Sequence, residues 1–132
     1  MMAAAIPQTV RSELKARVFD SAGVLYVMEN APYPERATRE MIATVRVLLG
    51  EQIKIENPAT YRTPGVVYIY ALTPPGMGTD AAEALALDVE TAFRGQTFNG
   101  VVYRAPSPKN MGVVDGKHQI VIEMAFHADD VS

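Results

Sequence analysis

The side chains of this chain that could do chemistry are few and poorly spaced for it. Its two histidines, His118 and His127, bracket one alternating run near the C-terminus. In an extended strand they stand roughly 30 Å apart, at about 3.3 Å per residue, too far to share a metal ion. The chain has no cysteine, which excludes disulfides, zinc–thiolate sites and thiol nucleophiles. Gly76-Met77-Gly78 precedes a helical pattern, as phosphate-cradling loops do. It lacks the Lys-Ser/Thr of a P-loop, and Ala81 stands where G-x-G-x-x-G needs its third glycine. Carboxylate pairs occur at Asp80/Glu83 and Asp129/Asp130. The first reads as a helix cap complementing the helix dipole, the second as a solvated acidic tail. The serines, Ser12, Ser21, Ser107 and Ser132, sit in no nucleophile elbow. No catalytic, cofactor-binding or metal-binding residue is assigned, and no enzyme is expected.

The elements that would carry any site centre on Thr63 to Phe93. Val66, Tyr68, Tyr70 and Leu72 alternate with Gly65, Val67, Ile69 and Ala71, so both faces are apolar. Such a strand is expected to be central and covered on both sides. The loop from Thr73 to Gly78 stops it with two prolines and two glycines. A helix follows, capped by Thr79 or Asp80, with Ala82, Leu85, Val89 and Phe93 as its apolar stripe and Gly95 as its stop. Leu87 falls off that stripe, and Ala84 with it. An apolar residue on the outer side of a helix points to a second buried surface, such as a subunit contact.

Before this unit, Ile6, Val10, Leu14 and Val18 recur every four residues in a helix from Pro7 to about Asp20. Val24 to Glu29 reads as a strand, and 30–40 as a surface loop with two prolines. Met41 to Leu49 and Gln52 to Glu56 read as a hairpin turning at Gly50-Glu51. After the helix come a strand over Phe98 to Arg104 and a second Pro/Gly segment over Ala105 to Val114. A turn at Asp115-Gly116 leads to a strand over His118 to His127. In that strand Ile120, Ile122, Met124 and Phe126 face inward. The expected class is α+β, in the order α-β-β-β-β-α-β-β, with a mostly antiparallel sheet and two helices packed on one face.

At 132 residues the chain is read as one domain, 1–132, large enough for a hydrophobic core. Its 48% hydrophobic and 20% charged residues are ordinary for a globular protein, which argues against disorder. A net charge of −3 argues against a sequence-independent nucleic-acid binder, which needs a clustered basic face. No apolar run approaches the ~20 residues of a membrane span, and the N-terminus lacks the pattern of a signal peptide.

Several motifs together carry a family resemblance. They are the opening helix VRSELKARV, the step Glu29 to Pro32, and Tyr-Arg-x-Pro-Gly at Tyr61 to Gly65. The strand VVYIYAL, the Pro-x-Gly-x-Gly loop at Pro74 to Gly78, and the A-x-x-L-x-x-x-V-x-x-x-F helix follow in order. In this layout the chain resembles the tail terminator proteins of long-tailed bacteriophages (siphophages) and of gene transfer agents. Residues 35–56 share no motif with them. The resemblance implies a virion protein, assembled in the host bacterial cytoplasm, that forms a hexameric ring. The ring would cap the tail tube protein, stop tube growth, and join the head-side connector or stopper protein. DNA would pass through its lumen without specific binding. The residues singled out for subunit or partner contact are Tyr33, Arg36 and Arg39 in the first loop, Leu87 on the helix, and Lys109, Asn110 and Met111 in the second segment. The alternatives are a head–tail stopper ring and a small-molecule-binding α+β domain.

Overall fold

The computed structural model describes residues 5–22, 24–27, 41–56, 60–73, 80–114 and 117–131. Two long strands, β4 (Thr60–Thr73) and β8 (Lys117–Val131), form the middle of the sheet. They pair antiparallel without a break from Thr60↔Val131 to Thr73↔His118. Alternation then sends Val67, Ile69 and Ala71 with Ile120, Ile122 and Met124 to one face, where all are buried. The helices cover that face alone. On the other face Val66, Tyr68, Tyr70 and Val121 are only half-buried. The expectation that β4 is covered on both sides is therefore corrected: it is central, but one of its apolar faces is partly open.

The flanking strands are each broken in two. β2 (Ile42–Leu49) and β3 (Ile53–Glu56) both pair antiparallel with the same edge of β4, through Leu49↔Gly65 and Ile53↔Arg62. They are successive parts of one interrupted strand, not the hairpin that the alternating pattern implied. Residues 50–52 oppose only Thr63 and Pro64, and the Gly50 N–H donates to the Pro64 carbonyl at 2.7 Å. A residue's N–H and C=O point to the same strand edge, so Pro64 has its missing donor at this bulge, where no ladder bond is lost.

The other edge repeats the device. β6 (Val101–Tyr103) and β7 (Ser107–Val114) both pair with β8, through Tyr103↔Phe126 and Ser107↔Glu123. Residues 104–106 oppose Met124 and Ala125, and the Arg104 N–H donates to the Ala125 carbonyl at 2.9 Å. The segment 105–114, expected to be irregular, is thus mostly strand. Its Pro108 is tolerated because β7 borders no further strand among the described residues. The span 98–104, expected to be one strand, turns back at Asn99-Gly100. There φ values of 51° and 82° join β5 (Thr97–Phe98) to β6 in a tight hairpin. The predicted 115–116 turn lies outside the described residues; Val114↔Lys117 pair on either side of it. Finally β1 (Leu25–Tyr26), shorter than expected, lies parallel to β2. The sheet has eight strands rather than six, because the Asn99-Gly100 turn divides one expected strand into β5 and β6 and the segment expected to be irregular supplies β7.

The helices are α1 (Ile6–Leu14), a π-helical turn (Lys15–Phe19) leading into α2 (Asp20–Ala22), and α3 (Asp80–Phe93). The extra residue of the π turn lets Phe19 as well as Val18 reach the core. Ile6, Val10, Leu14, Leu85, Val89 and Phe93 meet the buried sheet face in one cluster. α3 ends at Gly95, whose φ of 68° suits a helix stop. The β5–β6 end is clamped to the first helical segment. Arg17 lies 3.5 Å from the Phe98 ring centroid and bonds Glu13 at 2.5 Å, while Asn99 donates to the same Glu13 carboxylate.

Candidate assembly surface

Of the singled-out residues, Leu87 is 62% exposed on the outer side of α3, as its position off the stripe predicts. Glu83, Ala84 and Asp88 are exposed around it. Lys109, Asn110 and Met111 lie together on the edge strand β7, not in a loop. Lys109 pairs with Glu123 at 3.3 Å, and the Asn110 side-chain oxygen accepts the Gly112 N–H at 2.8 Å across a bulge in β7. Met111 is 56% exposed. The structure keeps this group apart from Leu87, which belongs to the helix layer. Tyr33, Arg36 and Arg39 lie outside the described residues.

The two strand breaks produce a site that the sequence reading missed. Where β3 and the start of β4 pass the end of β8, the open sheet face bends into a pocket of about 580 Å³. Leu48, Ile53, Val66 and Tyr68 give it apolar walls, and Arg62, Arg104 and His127 give it polar ones. Leu48 is 43% and Ile53 49% exposed, and Leu49 and Ile55 are exposed beside them. Clustered exposed aliphatic side chains of this kind mark a contact surface. The Tyr-Arg-x-Pro-Gly step at Tyr61 to Gly65 was the available signal. Its arginine and proline line the pocket, and its glycine lets the sheet close behind it.

Asp129, expected in a solvated tail, is in β8 directly opposite Arg62. The guanidinium holds its carboxylate through two bonds, at 2.8 and 3.1 Å. That hydrogen bonding keeps the Asp129 carboxyl below its ordinary value and raises Arg62 further. Beside them His127 is held below its usual value, first by burial and then by Arg62, with Asp129 opposing and Arg104 adding to the effect. Its Nδ1 is buried without a hydrogen-bond partner among the described residues. His118 stands on the opposite face of β8. Among the described residues no three His, Asp or Glu side chains are grouped to hold a metal ion. None of the described helices is long and apolar enough to cross a membrane.

No protein-family model and no curated protein matches the chain. Solved structures share its fold. One, known only by a sequence identifier, is 19% identical, with a TM-score of 0.58 over 92% of this chain and 94% of its own. Another is a chain of the virion of a native gene transfer agent particle. It is 16% identical, with a TM-score of 0.53 over 93% of each chain. At these identities the likeness is one of fold, a mixed α+β domain with a curled eight-stranded sheet, and it runs the length of the chain.

Proposed function

We propose that this chain is a structural virion protein, the tail terminator of a long-tailed phage or gene transfer agent. Six copies form a ring that caps the tail tube, stops addition of tube subunits, and offers its other side to the head-side connector. The ring is built in the host cytoplasm and remains in the particle, and DNA passes through its lumen without specific binding. The observation that carries this reading is the open sheet face. Val66, Tyr68, Tyr70 and Val121 are half-buried there, and Leu48, Leu49, Ile53 and Ile55 are exposed at its bend. A monomer gains nothing from so much uncovered aliphatic and aromatic surface, whereas a subunit that must match neighbours needs it. The full-length fold likeness to a chain of a gene transfer agent virion supports the same reading, as does the ordered set of motifs from Val10 to Phe93. The mechanism is steric: a closed ring that matches the tube end removes the surface on which the next tube subunit would add.

Light scattering after size exclusion, over a range of protein concentrations, tests the proposal. The expected result is a hexamer, or a monomer that closes into hexamers as concentration rises or on added tail tubes. Tubes grown with the protein present should stop lengthening. A monomer that neither associates nor caps tubes would overturn it.

A further inference from the structure

The α3 ridge and the pocket lie on opposite faces of the molecule. Leu87 points away from the sheet on the far side of the helix layer, while the pocket opens on the sheet face that the helices leave uncovered. We propose that the Leu87 ridge of one copy seats in the pocket of the next copy, and that this head-to-tail contact is what closes the ring. The inference rests on the ring reading above and names the two surfaces that meet.

Charge and shape both favour this match. α3 carries Asp80, Glu83, Asp88 and Glu90 and no basic residue. The pocket holds Arg62 and Arg104 against the single carboxylate of Asp129, so its polar wall is net positive. Leu87 is flanked by Glu83 and Asp88, which would meet that wall as the leucine enters between Leu48, Ile53 and Val66. Ala84, one turn earlier on the same side, is small and lets the helix approach closely. At about 580 Å³ the pocket admits a ridge of more than one side chain. Because the two patches lie on opposite faces, two copies cannot make the contact reciprocally, and it is heterologous. Repeated, it generates a ring or a filament, never a closed pair.

The absence of native cysteine makes a direct test simple. The full chain carrying Leu87→Cys and Ile53→Cys together is treated with a short bis-maleimide at concentrations where the protein associates. Both positions are exposed, so the fold tolerates the changes. The control pairs Leu87→Cys with Val113→Cys, since Val113 is 72% exposed but lines neither surface. The expected result is a ladder of covalent multimers up to the closed ring in the test variant and none in the control. A variant that assembles to wild-type mass without a ladder would overturn this contact while leaving the ring intact. A ladder equally strong in the control would do the same. Products that stop at the dimer would make the contact isologous and overturn the head-to-tail arrangement. A chain that never associates, alone or on tail tubes, would remove the ring and this contact together.

Discussion

The ring of Phe126 lies over the bare Cα of Gly65, its direct partner across β4 and β8. A Cβ built on Gly65 would press into that ring and stand 2.8 Å from the backbone carbonyl oxygen of Leu48. The glycine thus lets three strands close together just behind the pocket, and the aromatic side chain fills the space that it leaves.

Gly65→Ala should therefore destabilise the fold by about 1–3 kcal/mol, the usual cost of overpacking a tight site. The Phe126 ring can yield, but the Leu48 carbonyl is backbone and cannot be trimmed. Urea unfolding should show a lower midpoint with an unchanged slope. An unchanged midpoint would mean that the strands have room to separate.

Tyr103 is almost wholly buried, its ring 4.9 Å from that of Phe93. Its hydroxyl has no hydrogen-bond partner among the described residues, and burial, then the nearby Glu13 charge, pushes its ionisation well up. Removing an unpaired buried hydroxyl while keeping the ring should cost nothing. Tyr103→Phe is expected to leave stability unchanged or raise it by about 1 kcal/mol. A loss of that size in urea would show that the hydroxyl is bonded after all.

Acid should weaken the pocket end of the sheet in two stages. His127 has a depressed value in the fold, so the unfolded chain takes up its proton first. Its contribution is complete above the unfolded value of about 6.5 and is lost as pH falls through the folded value. Asp129 is also depressed, so its contribution holds above about pH 4 and is lost as pH falls through its folded value. A proton NMR titration, assigned with His118→Gln, should place His127 below the ordinary histidine range. His127→Gln should flatten the decline in urea midpoint as pH falls below about 6.5. A His127 that titrates at or above the ordinary value would refute this.

Asn99 holds a φ of 51° in the β5–β6 turn and donates to Glu13. Asn99→Ala should cost about 1–2 kcal/mol, the penalty for a Cβ in the left-handed region without compensation. Asn99→Gly keeps the turn and loses only an exposed bond, so it should cost under about 1 kcal/mol. Thermal unfolding of the two variants separates the contributions, and equal losses would shift the weight to the Glu13 bond.

What local pattern dictates was legible in the residues. The period of four in Ile6, Val10, Leu14 and Val18 became α1 and its continuation, and Ala82, Leu85, Val89 and Phe93 became the buried stripe of α3. The alternation of Ile120, Ile122, Met124 and Phe126 became the core face of β8. Leu87 was legible too, because a helix with a marked stripe leaves only one direction for a residue off it. Asn99-Gly100 was legible in principle, since that dipeptide is a strong hairpin signal, but the apolar run around it concealed the turn.

Pairing was not legible. Alternation is the same whether Ile53 and Ile55 turn back on β2 or continue beside β4, so the pattern could not separate a hairpin from a bulge. Pro64 and Pro106 mark the breaks, yet a proline alone does not say which strand edge it faces. Asp129 looked like part of a tail because its partner, Arg62, is 67 positions away.

By itself, then, the sequence determined the helix faces and the two-sided apolar character of β4, since each follows from residue type and short-range period. Only the tertiary structure decided which face of β4 the helices cover and where the sheet bends. It alone brought Arg62, Arg104 and His127 to one apolar pocket. Those outcomes depend on contacts between residues far apart in the chain, and short-range spacing carries no information about them.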